Sequence, residues 1–343
     1  MSKGSQNPAI RLGVLGCADI AGRRALPAVS RLPQFTLQAV ASREPAKAEA
    51  LVERFGGCPV TGYDALLERD DLDAVYIPLP AALHAPWVRA SLDAGLHVLV
   101  EKPAALSAAE AGSLAALARR QGRVLMENFG FVRHTQQAAV RKLLDEGAIG
   151  ELRGMSAEFA FPPPPADDIR YRPELGGGAL FDAGVYPLRA ARMLLGNTLE
   201  VVGAVLRVDT SHGVDVAGSA LLTSPAGITA QLGFGFVHSY RCGYTLWGSE
   251  GRISLDRAYS APDDLAPVLR LDRGGRTTRD RLPPDRQFDR MFRAFAEAIR
   301  AGDTDSGAHD LLQQAQLVER VAASARRTPL WVLPRHGYEK ART

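Results

Sequence analysis

The chain has 343 residues, two to three times an ordinary domain of about 100 to 150, so two compact units with separate cores are expected. With 46% hydrophobic residues, 23% charged residues and a net charge of +3, the composition is that of a globular protein and argues against a nucleic-acid partner. Cys17, Cys58 and Cys242 are odd in number and far apart, which fits a reducing cytoplasm, and neither Met1 to Pro8 nor any later apolar run approaches the roughly 20 residues of a membrane span.

In chain order, Ile10 to Leu15 is predicted as a strand that runs into Gly16 and then a helix to about Leu32. Phe35 to Ala41 gives the next strand and Pro45 to Phe55 the next helix. Ala74 to Ile77, His97 to Val100 and Val124 to Glu127 are short runs rich in Val, Ile and Leu, as strands buried on both faces are. Helices at about His84 to Ala94 and Ser107 to Gln121 separate them. This alternation predicts a parallel sheet covered by helices. After Gln136 a helix through Asp145 leads to a strand from Leu152 to Phe161, stopped by Pro162 to Pro165, which cannot donate to a ladder. From Leu199 to about Leu282 strands recur with connections mostly too short for helices, which predicts a mostly antiparallel sheet. One face of it is legible in Ile228, Ala230, Leu232, Phe234 and Phe236. A helix with Phe288, Met291, Phe292, Phe295 and Ile299 on one stripe, and another from about Asp310 to Arg326, are expected to cover one face of that sheet. The expected fold is α/β, with a Rossmann dinucleotide-binding domain over residues 1–127 and an α+β substrate-binding and oligomerisation domain over residues 128–343.

Gly16, Cys17, Ala18, Asp19, Ile20 and Ala21 lie between the first strand and helix, where a dinucleotide fold needs a tight turn and amide groups at a helix start. Alanine fills the second and third glycine positions of G-x-G-x-x-G, so the stretch is either a nucleotide loop or an ordinary strand-to-helix turn. At the end of the second strand stand Ser42 and Arg43 where an NAD site usually has an acid. A hydroxyl and a guanidinium suit a 2′-phosphate, so the expected cofactor is NADP(H), with Lys47 adding charge one turn later. The alternative is that Arg43 is one of 36 arginines on a solvated loop. Arg23 and Arg24 occupy a first helical turn, where the dipole disfavours positive charge; an anion from cofactor or substrate would resolve that, and a solvated surface is the competing reading.

Lys102 is one of only five lysines and follows the buried run Val98-Leu99-Val100-Glu101, at the carboxyl end of a parallel strand where open α/β sheets bind ligands. The glycine loop, Pro78-Leu79-Pro80 with His84, Glu101-Lys102-Pro103, and Gly176 to Phe181 running into Asp182 and Tyr186 together resemble the Gfo/Idh/MocA oxidoreductase family, over about Ile10 to Pro334. Ala18-Asp19-Ile20 with Arg23 to Pro27, Met126-Glu127-Asn128-Phe129 and Asp168-Ile169-Arg170-Tyr171 are similar to the sugar 3-ketoreductases of deoxysugar antibiotic pathways, which act on dTDP-linked 3-keto sugars.

The resemblance implies that Lys102 and Tyr186 flank the nicotinamide and the reacting carbon, and that Lys102-Pro103 is a cis peptide. Reduction of a ketone builds up alkoxide charge, which needs a fixed cation and a nearby acid; which of Lys102 and Tyr186 gives the proton stays open. The expected cofactor-binding set is Gly16, Cys17, Ala18, Asp19, Ile20, Ser42, Arg43, Leu79, His84, Glu101, Lys102, Arg170 and Asp182. Arg23, Arg24, Lys102, Arg172 and Tyr186 are the expected substrate-binding set. His134 is either a pocket residue or an ordinary loop residue. No cluster of His, Cys, Asp and Glu has metal spacing, so no metal is expected. The implied activity is NADPH-dependent reduction of the C3 ketone of a dTDP-linked 3-keto-6-deoxysugar. Oxidation of a free sugar, cyclitol or dihydrodiol and a non-catalytic NADP(H)-binding regulator are the alternatives. A homo-oligomer, dimer or tetramer, is expected through the apolar strands between Leu199 and Phe236.

Overall fold

Short, mostly apolar runs form the first sheet: β1 (Ile10–Leu15), β2 (Phe35–Ser42), β3 (Cys58–Thr61), β4 (Ala74–Ile77), β5 (His97–Glu101) and β6 (Leu125–Asn128). The computed structural model describes residues 8–329; residues 1–7 and 330–343, at the ends of the two expected domains, lie outside the described residues, as does Pro334. All neighbouring strands pair parallel, in the order β3-β2-β1-β4-β5-β6 of a dinucleotide-binding fold. The helices α1 (Leu26–Arg31), α2 (Pro45–Phe55), α3 (Asp64–Leu67), α4 (His84–Asp93) and α5 (Ala108–Gln121) alternate with the strands. A π-helical turn at Ala21–Ala25 precedes α1. β3 and α3 carry no sequence signal as clear as the others. β3 is Cys-Pro-Val-Thr on a sheet edge, too short and too exposed to show a buried run.

After α6 (Thr135–Asp145) the chain enters the second sheet with β7 (Leu152–Ala160) and leaves it for α7 (Val185–Leu195). It then adds β8 (Glu200–Asp209), β9 (Val214–Thr223), β10 (Thr229–Gly235), β11 (Arg241–Gly248), β12 (Gly251–Leu255), β13 (Val268–Arg273) and β14 (Arg276–Arg281). With β15 (Ala325–Pro329) at one edge, the order is β14-β13-β12-β11-β7-β10-β9-β8-β15, mostly antiparallel, with β7–β10 and β8–β15 parallel. The expected α/β fold with a large, mostly antiparallel second sheet is therefore what the chain adopts.

The two C-terminal helices do not both cover the second sheet. α8 (Gln287–Ala301) sends Met291, Phe292 and Phe295 into one core with Val14, Phe35 and Tyr76 of the first sheet. The Phe292 ring meets Phe35 edge-on at 5.6 Å and lies 5.6 Å from Tyr76. A stripe shows that a helix buries a face, not which partner it meets, and here the chain returns to the parallel sheet to supply one of its covers. α9 (Ser306–Ser324) joins both units, with Leu311 in the core beside β4 and β5 and Leu317, Val318 and Val321 in that of the second sheet. It starts earlier than its periodicity indicates, and it stops earlier because Ala325–Pro329 forms β15 alongside β8.

No helix among the described residues is long and apolar enough to cross a membrane. On the face of the second sheet turned away from α7, Trp247 is 69% exposed and Val202 57%, which is more apolar surface than a solvated sheet face usually presents.

Candidate active site

Parallel strands place the chemistry. The carboxyl ends of β1, β4 and β5 open into a cleft of about 650 Å³, walled by Ala18 to Ile20 and Arg23 on one side and Pro78 to Ala81 on another. Glu101, Lys102 and Pro103 border it from β5, and Phe159, Phe161, Asp168, Arg170, Phe181, Asp182, Tyr186 and Ser260 border it from the second unit. Its volume suits a small-molecule ligand.

At Gly16 the backbone φ is +114°, and a Cβ there would lie 2.6 Å from Leu79 Cδ2. Only glycine lets Leu79 press on the loop, while the Gly16 N–H donates to Ala41 O at 2.9 Å. Ala18, Asp19 and Ile20 face the cleft, and Cys17 turns its thiol toward Ala41 O, half-buried beside Ser42.

The Lys102–Pro103 peptide is cis. Lys102 Nζ donates to Asp182 Oδ1 at 2.8 Å and to the Asp182 carbonyl at 3.0 Å, and sits 5.1 Å from the centre of the Tyr186 ring. Arg170 Nε donates to Asp182 Oδ2 at 2.6 Å, and Arg170 Nη1 to Asp168 Oδ1 at 3.0 Å. Burial works against every charge here, and pairing decides the outcome. Burial alone would pull the Lys102 ammonium down, but Asp182 holds it well above its usual value. Burial would raise Asp182, yet Lys102 and Arg170 bring it to about 2. Tyr186 is pushed up to about 12 by burial, although Lys102 pulls the other way. Beneath the lysine, Glu101 Oε1 accepts from Tyr76 Oη and from Asn128 Nδ2, both at 2.6 Å, and burial raises the carboxyl.

The remaining expected residues divide. Ser42 and Arg43 stand together at the end of β2, with the buried Ser42 hydroxyl accepting the Glu44 N–H at 3.0 Å. Lys47 pairs with Glu44 at 2.7 Å. Arg23 borders the cleft, but Arg24, one residue further round the helical turn, donates to Asp263 at 2.8 Å and leaves it. Arg172 is engaged by Glu174 at 2.7 Å and does not border the cleft either. His84 is not placed for a cofactor contact: it is 1% exposed, with Nδ1 2.7 Å from Pro103 O and Nε2 2.6 Å from Leu79 O. His134 caps α6, its Nδ1 accepting the Gln136 N–H at 3.2 Å. Among the described residues no group of three or more His, Cys, Asp and Glu is arranged to hold a metal.

An aromatic wall that no motif announces closes one side of the cleft. Phe159 meets Tyr186 edge-on at 4.8 Å and lies tilted against Phe161 at 5.8 Å. The alternation Met155, Ala157, Phe159 marks the inward face of β7 in the sequence, but nothing local says that this face ends over the cleft.

Fold and site together are those of an oxidoreductase that uses a dinucleotide. The chain belongs to the GFO/IDH/MocA family: residues 10–129 match the oxidoreductase family with an NAD-binding Rossmann fold, and residues 137–254 match the GFO/IDH/MocA C-terminal domain. It is 54% identical over 327 residues, 92% of this chain and 96% of the relative, to a dTDP-3,4-didehydro-2,6-dideoxy-alpha-D-glucose 3-reductase of Streptomyces violaceoruber. A protein of the same name from Actinomadura kijaniata is 50% identical, covering 94% of this chain and 98% of its own length. Among solved structures, KijD10, a 3-ketoreductase from Actinomadura kijaniata in complex with NADP and TDP-benzene, superposes with a TM-score of 0.92 at 49% identity. That match covers 94% of this chain and 99% of the solved one.

Proposed function

We propose that the chain is a cytoplasmic reductase that uses NADPH to reduce the C3 ketone of a dTDP-linked 3-keto-6-deoxysugar, a step of deoxysugar biosynthesis. The observation that carries this reading is the Lys102 ammonium fixed by Asp182 beside Tyr186, at the strand ends next to the Gly16 loop. Relatives named for that reaction over nearly their whole length support it. On this reading residues up to 127 hold the dinucleotide, and those from 128 supply most of the sugar side.

The residues present fit NADP(H). The loop at Gly16 gives a close backbone approach, and Ser42 with Arg43 places donors, not a carboxylate, where the ribose 2′ position is read. Bound NADPH supplies the hydride. Lys102 carries three N–H groups, of which Asp182 engages two, leaving one for the ketone oxygen. As charge grows on that oxygen, the fixed ammonium stabilises it without reorganising. Asp182 fixes the Lys102 ammonium, and Tyr186, whose ring centre lies 5.1 Å from Lys102 Nζ, is the proton donor on this reading. Phe159, Phe161 and Phe181 keep water from the reacting face.

Arg43→Ala is expected to raise the KM for NADPH about tenfold or more, the worth of a charge-assisted hydrogen bond, and to leave that for NADH nearly unchanged. Steady-state kinetics with both cofactors check this; a wild-type enzyme that prefers NADH would contradict the assignment.

The same reading includes a homo-oligomer, dimer or tetramer, built on the uncovered face of the second sheet. Trp247, Val202, Val205 and Leu221 are its exposed apolar residues. Trp247→Glu is expected to shift light scattering toward the mass of one chain. A wild-type protein that is already monomeric at micromolar concentration would contradict the interface.

A further inference from the structure

We propose that His84 and Glu127 are positioning residues for Lys102, acting through the single peptide group that follows Lys102–Pro103. The carbonyl of Pro103 and the N–H of Ala104 belong to one planar unit. His84 Nδ1 holds its oxygen end at 2.7 Å, and Glu127 Oε1 accepts from its nitrogen end at 2.8 Å. The two side chains come from different elements, His84 from the start of α4 and Glu127 from β6, so the peptide is gripped from both sides. Neither residue borders the cleft itself.

His84 has a second hold. Its Nε2 lies 2.6 Å from Leu79 O, and Leu79 is the side chain that presses on Gly16. A neutral ring, with one N–H, holds one of these carbonyls at a time; with both nitrogens protonated, the buried ring ties the turn that carries Lys102 to the loop that shapes the nucleotide site. Burial pulls the ring toward its neutral form, and the two carbonyls pull it back toward the charged one. Burial likewise pushes the Glu127 carboxyl up to about 7, against the Ala104 N–H and the nearby Arg189. An apolar side chain would fill either place without that cost. What the polar groups add is a fixed orientation for the peptide next to the lysine.

The inference rests on the reading of Lys102 as the catalytic cation, and a split of kinetic constants tests it. An asparagine amide nitrogen stands where Nδ1 stood and a glutamine amide nitrogen where Nε2 stood. His84→Asn keeps the reach to Pro103, so kcat should stay within about twofold while the KM for NADPH rises severalfold. His84→Gln keeps the reach to Leu79, so that KM should stay within about twofold while kcat falls about tenfold, since misplacement by an ångström costs up to about 10²-fold. Glu127→Ala should lower kcat about tenfold at unchanged NADPH affinity by fluorescence titration, and Glu127→Gln, which keeps an acceptor oxygen, should restore it. If both His84 variants move kcat and KM together, or if Glu127→Ala retains full kcat, the positioning role is wrong. Should Glu127→Ala fail to fold, the His84 pair decides. Lys102→Ala in the same assay separates the two readings: full kcat there removes the catalytic assignment itself, whereas its loss beside unaffected His84 and Glu127 variants removes only the grip.

Discussion

Lys102→Ala is expected to lower kcat by about 10² to 10³, the usual cost of removing one preorganised contact to a developing oxyanion, with the fold intact. The lysine Nζ touches only Asp182 among the charged groups bonded to it, and it stands 5.1 Å from the Tyr186 ring, so its loss subtracts positive charge where the ketone oxygen must lie. Tyr186→Phe should lose less, because water can deliver a proton once the alkoxide is stabilised. Rapid-mixing kinetics of NADPH loss, with circular dichroism to check folding, measure both. Near wild-type kcat in the lysine variant would reject the mechanism.

Asp182→Ala is expected to cost about 3 to 5 kcal/mol of folding free energy, because it strands a buried ammonium and leaves Arg170 with Asp168 alone. The Lys102 side chain is 14% exposed, so solvent cannot replace the missing carboxylate. The pH dependence has a definite sign. Asp182 titrates at about 2 in the fold instead of its ordinary 3.8, so its contribution is complete above 3.8 and disappears as the pH falls toward about 2. The stability gap between wild type and Asp182→Asn in urea titrations should therefore be wide at neutral pH and narrow steeply on acidification. A gap that stays constant over that range would show that the carboxylate charge contributes nothing.

Much of this arrangement is legible in the sequence because local pattern and function coincide there. The runs ending at Leu15, Ile77 and Glu101 are apolar at their centres because helices cover them on both faces, and their carboxyl ends are where Gly16, Leu79 and Lys102 follow. What the sequence does not show is set by tertiary partners. The stripe on α8 is plain, but the choice of the first sheet over the second depends on Phe35 and Tyr76. Arg23 and Arg24 are equivalent as letters, and only the position of Asp263, some 239 residues away in the chain, separates a cleft residue from a surface pair. The surroundings of His84 are equally hidden, since both its ring nitrogens face backbone carbonyls that no side-chain pattern reveals.

The substrate assignment is the central claim. Arg23 and Arg170 border the cleft, and a diphosphate held there would contribute binding energy that fixes the ketone in place, so truncated substrates should lose kcat as well as affinity. The direct measurement generates a dTDP-linked 3-keto-6-deoxysugar in the cuvette with a sugar 2,3-dehydratase and follows NADPH absorbance at once. Rapid oxidation of NADPH with the nucleotide-linked sugar, and none with the matching free sugar, is the predicted result; turnover of free sugars or non-sugar carbonyls alone would contradict it.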